Sequence, residues 1–262
     1  IYEESLKFHK ELKGKLEVSS RVKITNEKDL SLAYTPGVAE PCREIHKDPS
    51  TAYLYTRKWN TVAVISDGTA VLGLGDIGPL ASLPVMEGKA ILFKEFADVD
   101  AFPIVLDTKE VDEIVETIVR IAPTLGGINL EDISAPRCFE IEKKLKERLN
   151  IPVFHDDQHG TAIIVLAALI NALKIVNKNI QDLKIVVNGA GSAGTAITKL
   201  LLSFGAKNII VCDRDGALNR DTTYSNKYFE ELSQITNPNN ESGILKDVIK
   251  NADVFIGVSA PN

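Results

Sequence analysis

The sequence predicts an α/β chain of two domains, each built on a mainly parallel sheet covered by helices. Three observations carry that expectation. Short apolar runs alternate with helical patterns from residue 101 onward, the order a parallel sheet requires. The run "LKIVVNGAGSAGTAITKLLLSFG" joins a β-rich stretch to a helix through a glycine-rich turn. Hydrophobic residues make up 44% and charged residues 25% of 262 residues, the balance and length of two ordinary globular domains.

Residues 2–13 read as an amphipathic helix stopped by Gly14, and 26–56 as short helices interrupted by "TPGVAEP" and "KDPS". "TVAVI" (61–65) and "AVLGLG" (70–75) read as the two strands of a hairpin, because Asp-Gly lies between them. Strands at 101–106, 126–130 and 152–154 each lead into a helix, at 109–122, 136–149 and 158–175. The apolar stretch "TAIIVLAALINAL" (161–173) is shorter than a membrane span and reads as a buried core helix. Strands at 184–189, 208–213 and 252–259 follow, with a helix at 192–204 and a polar loop, "TNPNNESG", at 236–243. The boundary is placed inside or just after the helix 158–175, before "KNIQDLK", dividing 1–160 from 161–262. A doubly wound nucleotide domain has more strands than these three, so the second domain is expected to be its first half, incomplete at the C-terminus.

A net charge of −6 argues against a nucleic-acid or anionic-membrane partner, since phosphate binding needs clustered cations. Cys42, Cys138 and Cys212 match no zinc spacing or disulfide framework. Together with the lack of a secretory pattern, they point to a reducing cytoplasm.

Two G-x-G-x-x-G motifs occur. The second, Gly189, Gly191 and Gly194, follows a strand and opens a helix, and a second strand ends in Asp213, 24 residues after Gly189. That is the dinucleotide fingerprint. The helix start at Ser192 and Ala193 would hold the pyrophosphate. Asp213 would accept hydrogen bonds from the ribose hydroxyls and disfavour a 2′-phosphate, which favours NAD, while Arg214 leaves NADP open. Val258 and Ser259, at the end of the closing strand, complete the expected cofactor-contacting set. The first motif, Gly73, Gly75 and Gly78, has the wrong context: a hairpin precedes it, and Pro79 and Pro84 stand where the helix should run. It reads as a tight backbone turn.

"GINLEDISAP" sets Glu131 and Asp132 after one strand, and "PVFHDDQHGTA" sets Asp156 and Asp157 after the next. Parallel neighbouring strands bring their carboxyl ends to one edge, where open α/β sheets bind ligands. Converging carboxylates suit a hard divalent cation, Mg²⁺ or Mn²⁺; equally, each pair is suited to a helix start. His155 and His159 flank the second pair and read as supporting residues rather than ligands of such a cation. Lys89 has apolar neighbours beside the "GLGDIG" turn and Tyr34 precedes a Thr-Pro-Gly turn; the ordinary readings are a solvated lysine and a packing tyrosine.

Taken together, "YTPGVAEPC", "SDGTAVLGLGDIGPLASLPVMEGKAILFKEFADVDAFPI", "GGINLEDISAPRCF" and "IPVFHDDQHGTA" closely resemble the malic enzymes, decarboxylating malate oxidoreductases, and in particular their short prokaryotic type. The resemblance runs from about residue 20 to the end. It implies Tyr34 as general acid, Lys89 as general base, and Asp156 as the partner of that lysine. It implies Glu131, Asp132 and Asp157 as metal ligands and Thr161 as a neighbour of the nicotinamide. It implies malate as substrate, NAD or NADP as cofactor, and a homodimer or higher homo-oligomer. Larger family members carry an arginine in the stretch matching "SDGTAVLG" that grips a substrate carboxylate; here Thr69 or Ala70 stands there, so another group must serve. The alternatives are a malolactic or oxaloacetate-decarboxylating relative, a two-domain amino-acid dehydrogenase, and a non-catalytic nucleotide-binding fragment.

Overall fold

A computed structural model describes residues 1–259 of the chain, which fall into two units. The first comprises Ile1–Asp132 with Lys143–Val153; the second comprises Ile133–Glu142 and the chain from Phe154 onward.

The first unit opens with helices α1 (Tyr2–Leu12), α2 (Glu27–Ala33), α3 (Ala39–Lys47) and α4 (Ala52–Tyr55). The start of α2 is chemically sharp. Asn26 accepts a hydrogen bond from the Asp29 N–H, while the Asp29 carboxylate accepts from the Thr25 N–H and hydroxyl. None of these four helices buries a residue. Strand β1 (Thr61–Ser66) then enters a sheet that also holds β2 (Asp100–Val105), β3 (Gly127–Leu130) and β4 (Val153–His155), in the order β2-β1-β3-β4. β1 pairs in parallel with both β2 and β3, and its last four residues are buried. That is the pattern of a strand covered on both faces.

Helix α5 (Pro79–Ala97) follows β1, and α6 (Val111–Ile121) follows β2. α6 buries Ile114, Val115 and Ile118, one stripe at helical spacing, and carries Asp112 and Glu113 in its first turn and Arg120 in its last, in keeping with its dipole. Two expectations change here. Residues 70–75 form no strand, so the Asp-Gly pair closes a loop rather than a hairpin. α5 runs straight through the positions where proline was expected to stop a helix. Pro79 occupies the first turn, where its missing N–H costs nothing, and Pro84 is carried inside the helix.

α7 (Arg137–Arg148) leads to β4. In the second unit α8 (Asp156–Val176) precedes β5 (Lys184–Asn188), α9 (Ser192–Ser203), β6 (Asn208–Cys212), α10 (Lys227–Ile235), α11 (Leu245–Val248) and β7 (Val254–Gly257). The three strands are parallel in the order β6-β5-β7. β5 is therefore a switch point, with the chain stepping to one side for β6 and to the other for β7. Ile185 and Val187 of β5 pack with Ile197 and Leu201 of α9 and Ile209 and Val211 of β6, while Val186, Ile210 and Cys212 pack with Val248 on the other face.

α8 is long and apolar enough, by length and composition alone, to cross a membrane. It is less buried than a core helix should be. Ala162 and Leu169 join the core cluster that α9 also enters, but Ile164 is 70% exposed and Ile175 86%. The helix is apolar all round and packs along one side.

Candidate active site

In the first unit the site grows from the carboxyl ends of β1 and β3. After β1, the Asp67 carboxylate, 1% exposed, accepts from the Thr69 N–H (3.2 Å) and hydroxyl (2.6 Å). Ile77 and Gly78 both donate to the Gly68 carbonyl at 3.1 Å, which ties the two ends of the 68–78 segment together. The first glycine motif is thus a compact closed loop, with Leu72 and Leu74 exposed at its tip. Ala70 donates to the Asp132 carbonyl at 2.9 Å, fastening the loop beside β3.

Glu131 and Asp132 follow directly on β3, each 5% exposed, and Asp132 has a left-handed backbone at φ 53°. Lys89, projecting from α5 with a side chain 20% exposed, places Nζ 3.2 Å from Glu131 Oε1. The other oxygen, Oε2, accepts from the Asn129 amide at 2.8 Å. Glu131 is therefore oriented from two sides. Asn129, 2% exposed inside an otherwise apolar strand, is a site residue that the sequence reading missed; its polarity in "GGINL" was the available signal. Tyr34 caps the C-terminal end of α2 and is 66% exposed.

In the second unit β4 runs directly into α8. Asp156 and Asp157 occupy the first helical turn, where the dipole favours carboxylates. The Asp156 carboxylate lies over Gly160, where a Cβ would come within 2.6 Å of Oδ1. Thr161 follows and is partly buried. His159 Nε2 lies 2.7 Å from Glu142 Oε1, and Gln158 donates to the same carboxylate at 3.5 Å. His155 is fully buried, and burial pushes its pKa down to about 4, so the ring is neutral at pH 7. Cys138, nearby in sequence on α7, has its thiol pushed up to about 12 by burial and by the Asp157 charge.

The second glycine motif lies at the carboxyl end of β5, between β6 and β7. Gly189 has φ 121°, and a Cβ there would come within 2.9 Å of the Val258 and Ser259 backbone. A Cβ on Gly194 would overlap the Gly189 carbonyl oxygen. Gly191 differs: φ is −77°, the residue is exposed, and a Cβ would meet nothing within 4 Å. The turn is closed from behind by Gly189 and Gly194 and bare in front at Gly191. α9 begins at Ser192 with no side-chain cap, leaving its first N–H groups directed outward. Asp213 follows directly on β6, and its Oδ1 accepts from the Asp215 and Gly216 N–H groups at 2.9 and 3.1 Å. Arg214 is exposed beside it. Ser259 Oγ accepts from the Asn188 amide at 3.1 Å. The residues expected from the sequence to contact a dinucleotide are thus gathered around one strand end, Thr161 apart.

Two family models match the chain: "Malic enzyme, N-terminal domain" over residues 13–146 and "Malic enzyme, NAD binding domain" over residues 158–262. An NAD-dependent malic enzyme of Geobacillus stearothermophilus is 64% identical over 95% of this chain and 52% of its own length. A bifunctional malic/malolactic enzyme of Bacillus subtilis is 59% identical over 99% of this chain and 63% of its own. The crystal structure of an NAD-dependent malic enzyme from Thermotoga maritima superposes with a TM-score of 0.94 at 54% identity, covering 97% of this chain and 68% of that one. The chain thus spans between half and two thirds of the length of those two curated relatives.

Proposed function

The chain belongs to the malic enzyme family, and on that premise we propose that it catalyses the oxidative decarboxylation of malate to pyruvate and CO₂, with reduction of NAD and a divalent-cation requirement. The observation that carries the reading is the mostly buried Lys89 amine, 3.2 Å from a buried glutamate at a strand's carboxyl end. A proton-accepting lysine beside buried acidic oxygens is what malate oxidation needs.

The residues fit both groups. Glu131, Asp132 and Asp157 offer one carboxylate oxygen each, an all-oxygen donor set of the kind Mg²⁺ or Mn²⁺ takes. The bare front of the Gly191 turn and the uncapped start of α9 suit a pyrophosphate. Asp213 keeps Oδ2 for the ribose hydroxyls, which favours NAD over NADP.

When bound, a nicotinamide would supply the acceptor for the hydride on C2 of malate, and a cation held by Glu131, Asp132 and Asp157 would supply a Lewis acid for the oxygen on C2. Lys89 in its neutral form accepts the C2 hydroxyl proton. Glu131 holds the lysine in place. Asn129 fixes the glutamate that faces it. Once CO₂ has left, Tyr34 gives its phenolic proton to C3 of the enol, forming pyruvate. Thr161 would serve as a contact for the nicotinamide. The division at residue 160/161 separates the substrate-binding part from the nucleotide-binding part. The unburied α1–α4 segment supports assembly as a homodimer or higher homo-oligomer, acting in a reducing cytoplasm where Cys42, Cys138 and Cys212 stay free.

The experiment is the absorbance of reduced nicotinamide formed from malate and Mn²⁺, with NAD and NADP compared. It is run on this chain and on a version carried to the length of its relatives, each with its Lys89→Ala variant. Reduced cofactor and pyruvate from the lysine-bearing proteins alone are expected. Silence from both lengths overturns the reading. The B. subtilis relative favours one second reading, malate to lactate; lactate without net reduced cofactor would establish it.

A further inference from the structure

His155 has no place in the mechanism above. It closes β4 and stands immediately before α8, 0% exposed, and neither ring nitrogen has a hydrogen-bond partner. A neutral imidazole carries one N–H and one bare nitrogen, so a donor is buried unmet. Such a group carries a desolvation cost that an apolar side chain of the same shape avoids. Its neighbour His159 is different: partly exposed and already held by Glu142 at 2.7 Å. The Asp157 carboxylate stands beside the His155 ring, with Oδ2 3.6 Å from Nε2, and the Glu142 and Asp156 charges also act on the ring. That gap is a few tenths of an ångström beyond hydrogen-bond range, within reach of a small carboxylate rotation.

We propose that His155 is a positioning residue for Asp157: its Nε2–H holds Oδ2, so that the carboxylate turns its other oxygen toward a divalent cation. The inference rests on the reading of Asp157 as a ligand of that cation. Its physical basis is that ligating carboxylates need a second partner to fix their orientation. A donor rooted at a strand end and sealed from water cannot be displaced by solvent. The contact stays long until a cation draws the carboxylate into its final orientation, and the stored cost of the unmet donor is then relieved.

The test is binding of Mn²⁺ alone, without malate or cofactor, followed by the spin resonance of free Mn²⁺. The parent, H155F, H155Q and D157N are compared, with NAD binding measured on each as a check of the fold. H155F is expected to weaken Mn²⁺ about 10–100-fold and leave NAD binding intact. H155Q, which restores an N–H donor, is expected to recover most of that loss. Parent-like Mn²⁺ binding by H155F overturns the inference, and so does an equal loss in H155F and H155Q, which marks a packing role. Parent-like binding by D157N instead overturns the underlying assignment of the ligand. If H155F does not fold, the parent decides. The His155 ring N–H proton is expected to move downfield when Mg²⁺ is added, and an unmoved proton overturns the proposal.

Discussion

Replacing Gly191 by alanine adds one methyl group at the front of the nucleotide turn. The backbone there, φ −77° and ψ −161°, is open to any residue, and the new Cβ would meet no atom within 4 Å. The fold therefore loses nothing, and it gains about 0.4–1 kcal/mol from the stiffer unfolded chain. A pyrophosphate resting on the N–H groups of Ser192 and Ala193 would be pushed away by that methyl. Losing one hydrogen bond to a charged group costs about 1.5–3 kcal/mol, which weakens NAD roughly 10–150-fold. Gly194→Ala is the contrasting perturbation. Its Cβ overlaps the Gly189 carbonyl oxygen, so α9 must separate from β5. That variant should lose stability, by about 3 kcal/mol or more, before any cofactor is added. The assay is a thermal scan of each protein with and without NAD, together with a binding titration. Gly191→Ala should melt slightly above the parent without NAD and gain less from it. Parent-like NAD affinity in Gly191→Ala would refute the assignment of the turn to the pyrophosphate.

Further outcomes follow from the same geometry. Lys89→Met should lower cofactor reduction by about 10²–10⁴, the range for a lost general base, with NAD binding unchanged; steady-state rates and a titration check both halves. Asp213→Asn keeps an oxygen for the Asp215 and Gly216 N–H groups but drops the charge. Relief of about 1 kcal/mol of repulsion should improve NADP relative to NAD about fivefold, read as a ratio of kcat/KM. A thiol reagent at pH 8 should reach exposed Cys42 but neither Cys138 nor Cys212, whose thiols burial pushes up to about 12 and about 11. Because these folded-state values lie above the ordinary 9.0, the stability they contribute is intact below pH 9 and is lost as pH climbs toward 11–12, which alkaline unfolding would record.

Much of the second unit was legible because one stretch carries several agreeing signals. The apolar run at 184–188, the glycines of the turn, the helix from 192 and the acid at 213 each restrict the others. What the sequence did not give was strand order: nothing in "ADVFIGVS" says that β7 lies on the far side of β5 from β6. The first unit was harder. The alternation in "AVLGLG" has the period of a strand, but Leu72 and Leu74 are loop residues open to solvent, and period alone does not distinguish the two. α5 went unread because two prolines outweighed its apolar pattern, and α10 because the polar residues before Asn226 hid its N-cap. The acidic pairs after β3 and β4 were visible as types. The grip of Asn129 on Glu131 and the burial of His155 were not. A buried polar residue is recognised by what surrounds it, and in sequence His155 stands only beside Asp156 and Asp157.

The measurement that bears most directly on the central claim is a joint count of CO₂, pyruvate and reduced nicotinamide formed from malate with Mn²⁺, at this chain's length and at that of its relatives. Equal amounts of all three, absent in Lys89→Met, are predicted. Reduced cofactor with oxaloacetate and no CO₂, or CO₂ with lactate and no reduced cofactor, would contradict it.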